Sequence, residues 1–172
     1  MKNLICVFIG LVIAFGATAQ TMKEYKGGHT FTISLPDYMK RTVGLNDVAA
    51  IQYSSTEQDV AGFVIYDTKE ELTLAELSFA SIKEFYEGFI SDFLSDQENR
   101  QVSEPVAKTK DGINFIECDA SYFDKELEAE VFYLVGVVET KKSYYKVLAW
   151  SSAANKDKFK TDFQKILYSL KD

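Results

Sequence analysis

The chain has 172 residues, 19 Lys plus Arg against 26 Asp plus Glu, and a formal net charge of −7. A net-negative surface excludes general binding to nucleic acid or anionic lipid, which it repels. With 13 Phe, 10 Tyr and only 2 Pro, the composition also excludes a disordered or low-complexity chain.

The first segment, residues 1–19, has the pattern of a secretory leader: Lys2 supplies a positive start, Leu4 to Phe15 an apolar run, and Ala17-Thr18-Ala19 a small-residue cleavage site before Gln20. The apolar run is shorter than the roughly 20 residues that span a bilayer, so cleavage is expected rather than anchoring. Cys6 lies inside the run, whereas a lipid-bearing cysteine would follow it. The Ala-Gln junction is similar to signal peptides of some Gram-negative lineages, and the expected destination is the periplasm. Cleavage leaves residues 20–172, a length suited to one domain, with no membrane span. The leader contains Lys2 and no acid, so 18 basic residues remain against 26 acidic ones. Cys118 is then unpaired, and stability must come from packing.

From His29 to Leu35, Phe31, Ile33 and Leu35 alternate on one face, which predicts a half-buried strand closed by Pro36-Asp37. Gly27-Gly28 reads as a turn into it. Val48 to Tyr53 and Ala61 to Asp67 are apolar, β-branched runs separated by the polar segment Ser54 to Asp59, and they predict a hairpin. Thr73-Leu74-Ala75-Glu76 has the form of a capping box. Leu74, Leu77, Ile82, Phe85, Phe89 and Phe93 continue it as the apolar stripe of one long helix.

After the polar stretch Ser95 to Arg100, four strands are predicted: Gln101 to Thr109, Ile113 to Phe123, Leu127 to Thr140 and Tyr144 to Ser151. Their short connections, at Lys110 to Gly112, Asp124 to Glu126 and Lys141 to Ser143, suit antiparallel neighbours in a meander. Val131 to Val138 is nearly continuous apolar sequence, as in a central strand covered on both faces. A last helix, Ala154 to Leu170, places Phe159, Phe163, Ile166, Leu167 and Leu170 on one side. These elements predict an α+β fold: a largely antiparallel sheet of six to seven strands flanked by helices on both faces.

Two stretches carry a likeness to a known family. His29-Thr30-Phe31-Thr32-Ile33-Ser34-Leu35-Pro36, and Tyr144-Tyr145-Lys146-Val147-Leu148-Ala149-Trp150 followed by the helix ending Ile166-Leu167-Tyr168-Ser169-Leu170-Lys171, resemble the PsbP-like family, which includes the DcrB-type periplasmic proteins. The resemblance implies an α/β/α sandwich without a shared catalytic set, and hence a binding or accessory role.

Templates for chemistry are absent. The sequence has no G-x-S-x-G elbow, no G-x-x-x-x-G-K-[ST] loop and no H-E-x-x-H helix. One His and one Cys remain after the leader, too few for a structural zinc site. His29 would be the first choice for a general base at neutral pH, but a surface histidine at a strand start is the simpler reading. Cys118 reads as a small buried hydrophobe, and Trp150 as core. The sharper constellation is acidic. With Asp124-Lys125 as a hairpin tip, Asp119 would face Glu130, Ser121 would face Glu128, and Glu117 would share their side. Opposed carboxylates cost roughly 0.2–1 kcal/mol per pair, so four acids on one face call for a compensator. That compensator could be Ca²⁺, a basic patch on a partner, lysines from a neighbouring strand, or simple solvation. No other cofactor is expected. Three functions follow: an exported, non-enzymatic binding or accessory protein of the cell envelope with an unidentified protein or envelope component as partner; a carboxylate-based Ca²⁺ binder; and a hydrolase using His29.

Overall fold

The computed structural model describes residues 21–172. The leader read in residues 1–19 and its cleavage junction lie outside them. Among the described residues no helix is long and apolar enough to cross a membrane.

Among the described residues ten strands form two antiparallel sheets, against the six to seven predicted. β1 (Met22–Gly27) and β2 (Phe31–Pro36) make a separate hairpin, turned at Gly28, whose φ of 59° is costly for residues carrying a Cβ. The large sheet contains β3 (Lys40–Thr42), β4 (Ile51–Ser55), β5 (Val60–Thr68), β6 (Glu98–Val102), β7 (Val106–Lys110), β8 (Ile113–Asp124), β9 (Ala129–Glu139) and β10 (Ser143–Ser152). Its order is β3-β4-β5-β10-β9-β8-β6, with β7 also paired to β8. The extra strands escape the period-2 reading because β1 and β3 carry mostly polar, solvent-facing residues and are held by their neighbours' ladders.

The predicted strand Gln101 to Thr109 is two strands. β6 pairs with the distal half of β8 and β7 with the proximal half, and Pro105, which has no N–H to give a ladder, stands between them. Ser103 spans the break: its N–H donates to the Asp119 carbonyl at 2.9 Å and its Oγ accepts from the Asp119 N–H at 3.0 Å.

The long helix predicted from Thr73 is also two elements. The capping box that forms is Thr68 with Glu71, starting α1 (Lys69–Leu74); Thr73 is inside that helix and donates to the Lys69 carbonyl at 2.7 Å. Glu76 has a φ of 59°, the chain turns, and Ser81 caps α2 (Ile82–Asp92). Leu74 and Leu77 are consequently 79% and 52% exposed instead of lying on the sheet. After a 3₁₀ turn at Ala153–Asn155, α3 (Lys156–Leu167) buries Phe159, Phe163, Ile166 and Leu167, as its periodicity predicts.

The larger core joins β2 and α3 to the sheet through Phe31, Ile33, Leu35, Phe132, Leu134 and Phe163 among others. Gly136 lets α3 approach closely, since a Cβ there would meet the Leu167 side chain at 2.3 Å. The smaller core sets Phe85 and Tyr86 of α2 against Cys118, Val135, Val137, Tyr144 and Leu148. Phe85 stacks on Tyr144 with ring centroids 4.5 Å apart. Alternate residues of β9 thus serve the two cores, which accounts for its unbroken apolar run. Trp150 is half-buried rather than core, and borders Phe63 and Tyr133.

Candidate functional site: a groove between α3 and β8

In a strand, residues two apart share a face, so Glu117, Asp119 and Ser121 of β8 point to the same side. In a helix, residues four apart share a face, so Lys156, Lys160 and Gln164 form a stripe along α3, and Tyr168, its C-cap, extends the row. The fold sets one stripe against the other. Lys156 and Lys160 both reach Asp119 Oδ2, at 2.8 and 2.7 Å, and Gln164 Nε2 donates to Glu117 Oε1 at 2.7 Å. Burial alone would raise the Asp119 carboxyl, but hydrogen bonds and charge from the two lysines outweigh it and hold it below the usual carboxylate value.

Glu117 is less well served. It is buried, and among the described residues its Oε2 has no hydrogen-bond partner. Leaving a buried acceptor unpaired costs about 1–3 kcal/mol, more for a charged group. The Tyr168 phenol is pushed up to about 12 by burial and then by the nearby Glu117 charge. It comes near that carboxylate without donating a well-formed bond to Oε2.

The acidic pairing expected from sequence is corrected. The last pair of the β8–β9 hairpin is Asp124 with Ala129, so the loop is Lys125 to Glu128 and not a tip at Asp124-Lys125. The Asp124 carboxylate closes this loop by accepting from the N–H groups of Glu126 at 2.9 Å and Leu127 at 3.0 Å. Glu130 therefore stands opposite Phe123, keeping its predicted face but shifted four residues along β8. It accepts from the Ser121 hydroxyl at 2.9 Å. Glu128 leaves the ladder for the loop, with a φ of 48°. The acids do not face each other, and the charges that meet Asp119 come from α3 rather than from a neighbouring strand. Among the described residues no three His, Cys, Asp or Glu side chains converge as metal ligands would.

Two clefts flank the broken edge. One, of about 370 Å³, is lined by Ser103, Asp119, Ser121, Glu130 and Lys156. The larger, of about 670 Å³, is lined by Lys108 and Lys110 of β7, Glu117 of β8, and Gln164, Lys165 and Tyr168 at the α3 side. Lys108, Lys110 and Glu117 share a face through the β7–β8 register, in which Val106 lies opposite Glu117. Lys108 Nζ lies 4.5 Å from the Tyr168 ring centroid, Lys110 Nζ donates to the Tyr168 carbonyl at 3.2 Å, and Lys165 pairs with Asp162 at 2.8 Å. The larger cleft is within the range of small-molecule sites, about 300–1,000 Å³.

His29 is exposed in the β1–β2 turn, and Cys118 is buried in the core under α2 with its thiol pushed up chiefly by burial. The two are not brought together. The α3 stripe is what sequence reasoning missed, and its signal was the four-residue spacing of Lys156, Lys160, Gln164 and Tyr168 beside the apolar face of the same helix.

No protein-family model matches the sequence, and no curated protein matches it. Solved structures do. Cyanobacterial PsbP (CyanoP) from Synechocystis sp. PCC 6803 is similar with a TM-score of 0.59 at 13% identity, over 91% of this chain and 95% of that one. LpqN, involved in cell envelope biogenesis of Mycobacterium tuberculosis, is similar with a TM-score of 0.59 at 12% identity, over 87% and 90%. Likeness at such identity is likeness of fold, and the fold of this chain is PsbP-like.

Proposed function

We propose that this chain is an exported, non-enzymatic accessory protein of the cell envelope, periplasmic in a Gram-negative bacterium, that works by binding through the groove between α3 and β7–β8. The observation that carries the binding site is Glu117, a buried carboxylate with one oxygen unpartnered on a cleft walled by lysines. The leader pattern of residues 1–19 supports export. An envelope role is supported by the fold shared with LpqN. Packing supports the sandwich reading, with α3 and the β1–β2 hairpin over one face and α2 over the other.

Export is tested by expressing the full chain in a Gram-negative host, fractionating the cells and weighing the product. The expected result is a periplasmic protein beginning at Gln20. A full-length product confined to the cytosol overturns the assignment.

A further inference from the structure

The groove offers two complementary chemistries side by side. At its floor, Glu117 is 7% exposed; Gln164 occupies one oxygen at 2.7 Å and the other lacks a donor among the described residues. On its walls stand ammonium groups: Lys108 and Lys110, two residues apart on the same face of an exposed edge strand, with Lys165 of the helix nearby in its pair with Asp162. A purely anionic ligand would be drawn to the lysines but repelled by Glu117. A purely cationic one would meet the reverse. The ligand that satisfies both places a hydrogen-bond donor on Glu117 Oε2 and an anionic group on the lysines.

Resting on the binding role proposed above, we infer that the groove binds a small molecule carrying a hydrogen-bond donor beside a carboxylate, as an amino acid, a short peptide or a sugar acid does, with the donor on Glu117 and the carboxylate on Lys108 and Lys110. The remaining lining suits such a ligand. Ser34, Thr161 and Ser169 add hydroxyls around the cleft, while Met22 and Val106 supply apolar contact.

Titrating the isotope-labelled protein with glycylglycine, N-acetylglycylglycine and galacturonic acid, followed by amide NMR shifts, tests this. Saturable shifts confined to residues around Lys108, Glu117, Gln164 and Tyr168 are expected with glycylglycine or galacturonic acid. Loss of glycylglycine binding on acetylation identifies the ammonium as the donor, whereas galacturonic acid binding alone identifies a hydroxyl. Affinity falls about tenfold or more in Glu117→Gln, which keeps the side chain's size, and in the Lys108→Ala/Lys110→Ala double variant, whose changes lie on an exposed strand and spare the core. Absence of saturable shifts with every probe, or shifts that persist unchanged in both variants, overturns the inference. Cytosolic retention of the chain would defeat export while leaving these binding measurements intact, so the two failures are separable.

Discussion

Glu139 and Glu117 are glutamates on opposite faces of the same sheet, and they are treated differently. Glu139, on the α2 side at the end of β9, accepts from Lys69 at 2.8 Å, from the Tyr144 hydroxyl at 3.1 Å and from Asn114 at 3.2 Å. Burial would raise its carboxyl, yet these donors hold it below the usual range. Glu117, on the α3 side, has Gln164 on one oxygen and, among the described residues, no partner on the other. A carboxylate saturated by its own protein is structural, while a buried one left half-satisfied is an exception that calls for an explanation, which the proposed binding role supplies.

The comparison can be broken most forcefully by testing the cores beneath the two sites. Phe163→Ala and Phe85→Ala should each cost about 3–5 kcal/mol in denaturant unfolding, Phe163 the more because it is the more deeply buried and stands in the larger core. Equal, small losses would refute both helix placements. Next in size is the pair of glutamates: Glu139→Gln should cost about 1 kcal/mol, since its ion pair with Lys69 is partly solvent-screened, and Glu117→Gln should cost less. The reverse order would mean that Glu117 is the structural group.

Acid unfolding sharpens the same point. Asp119 and Glu139 have folded values below their ordinary ones, so the stability they add is present above about pH 4 and is lost as pH falls through the folded values. Asp119→Asn should therefore shallow the acid limb of a stability–pH curve; an unchanged limb would show that Lys156 and Lys160 do not hold the carboxylate as found. The smallest effect belongs to Leu74→Ala, within about 0.5 kcal/mol of the parent because the side chain is exposed. A loss of core size there would restore the single long helix that the apolar spacing predicts.

Periodicity made the α3 apolar face legible, through Phe159, Phe163, Ile166 and Leu167, and likewise the β8–β9–β10 meander and the burial of Cys118. Each of these follows from the chemistry of adjacent residues. The helix break was a matter of choosing between competing signals: Thr68 with Glu71 and Ser81 with Glu84 fit the capping template as well as Thr73 with Glu76 does, and the left-handed turn at Glu76 decides against the last. Half of the candidate site was also visible, since Glu117, Asp119 and Glu130 do share a sheet face. Their partners were not, because the tip geometry set by Asp124 moves the register and sends Glu128 into the loop.

By itself, then, the sequence determined which residues must be hidden and which elements they build, because burial periods are local and each helix or strand displays its own. Only the tertiary structure decided that Lys156 and Lys160 would settle on Asp119 while Glu117 kept a bare oxygen beside Lys108 and Lys110. Those relations join β7 and β8 to residues up to 58 positions further along the chain, and nothing in the local pattern of either records the angle or register at which they meet.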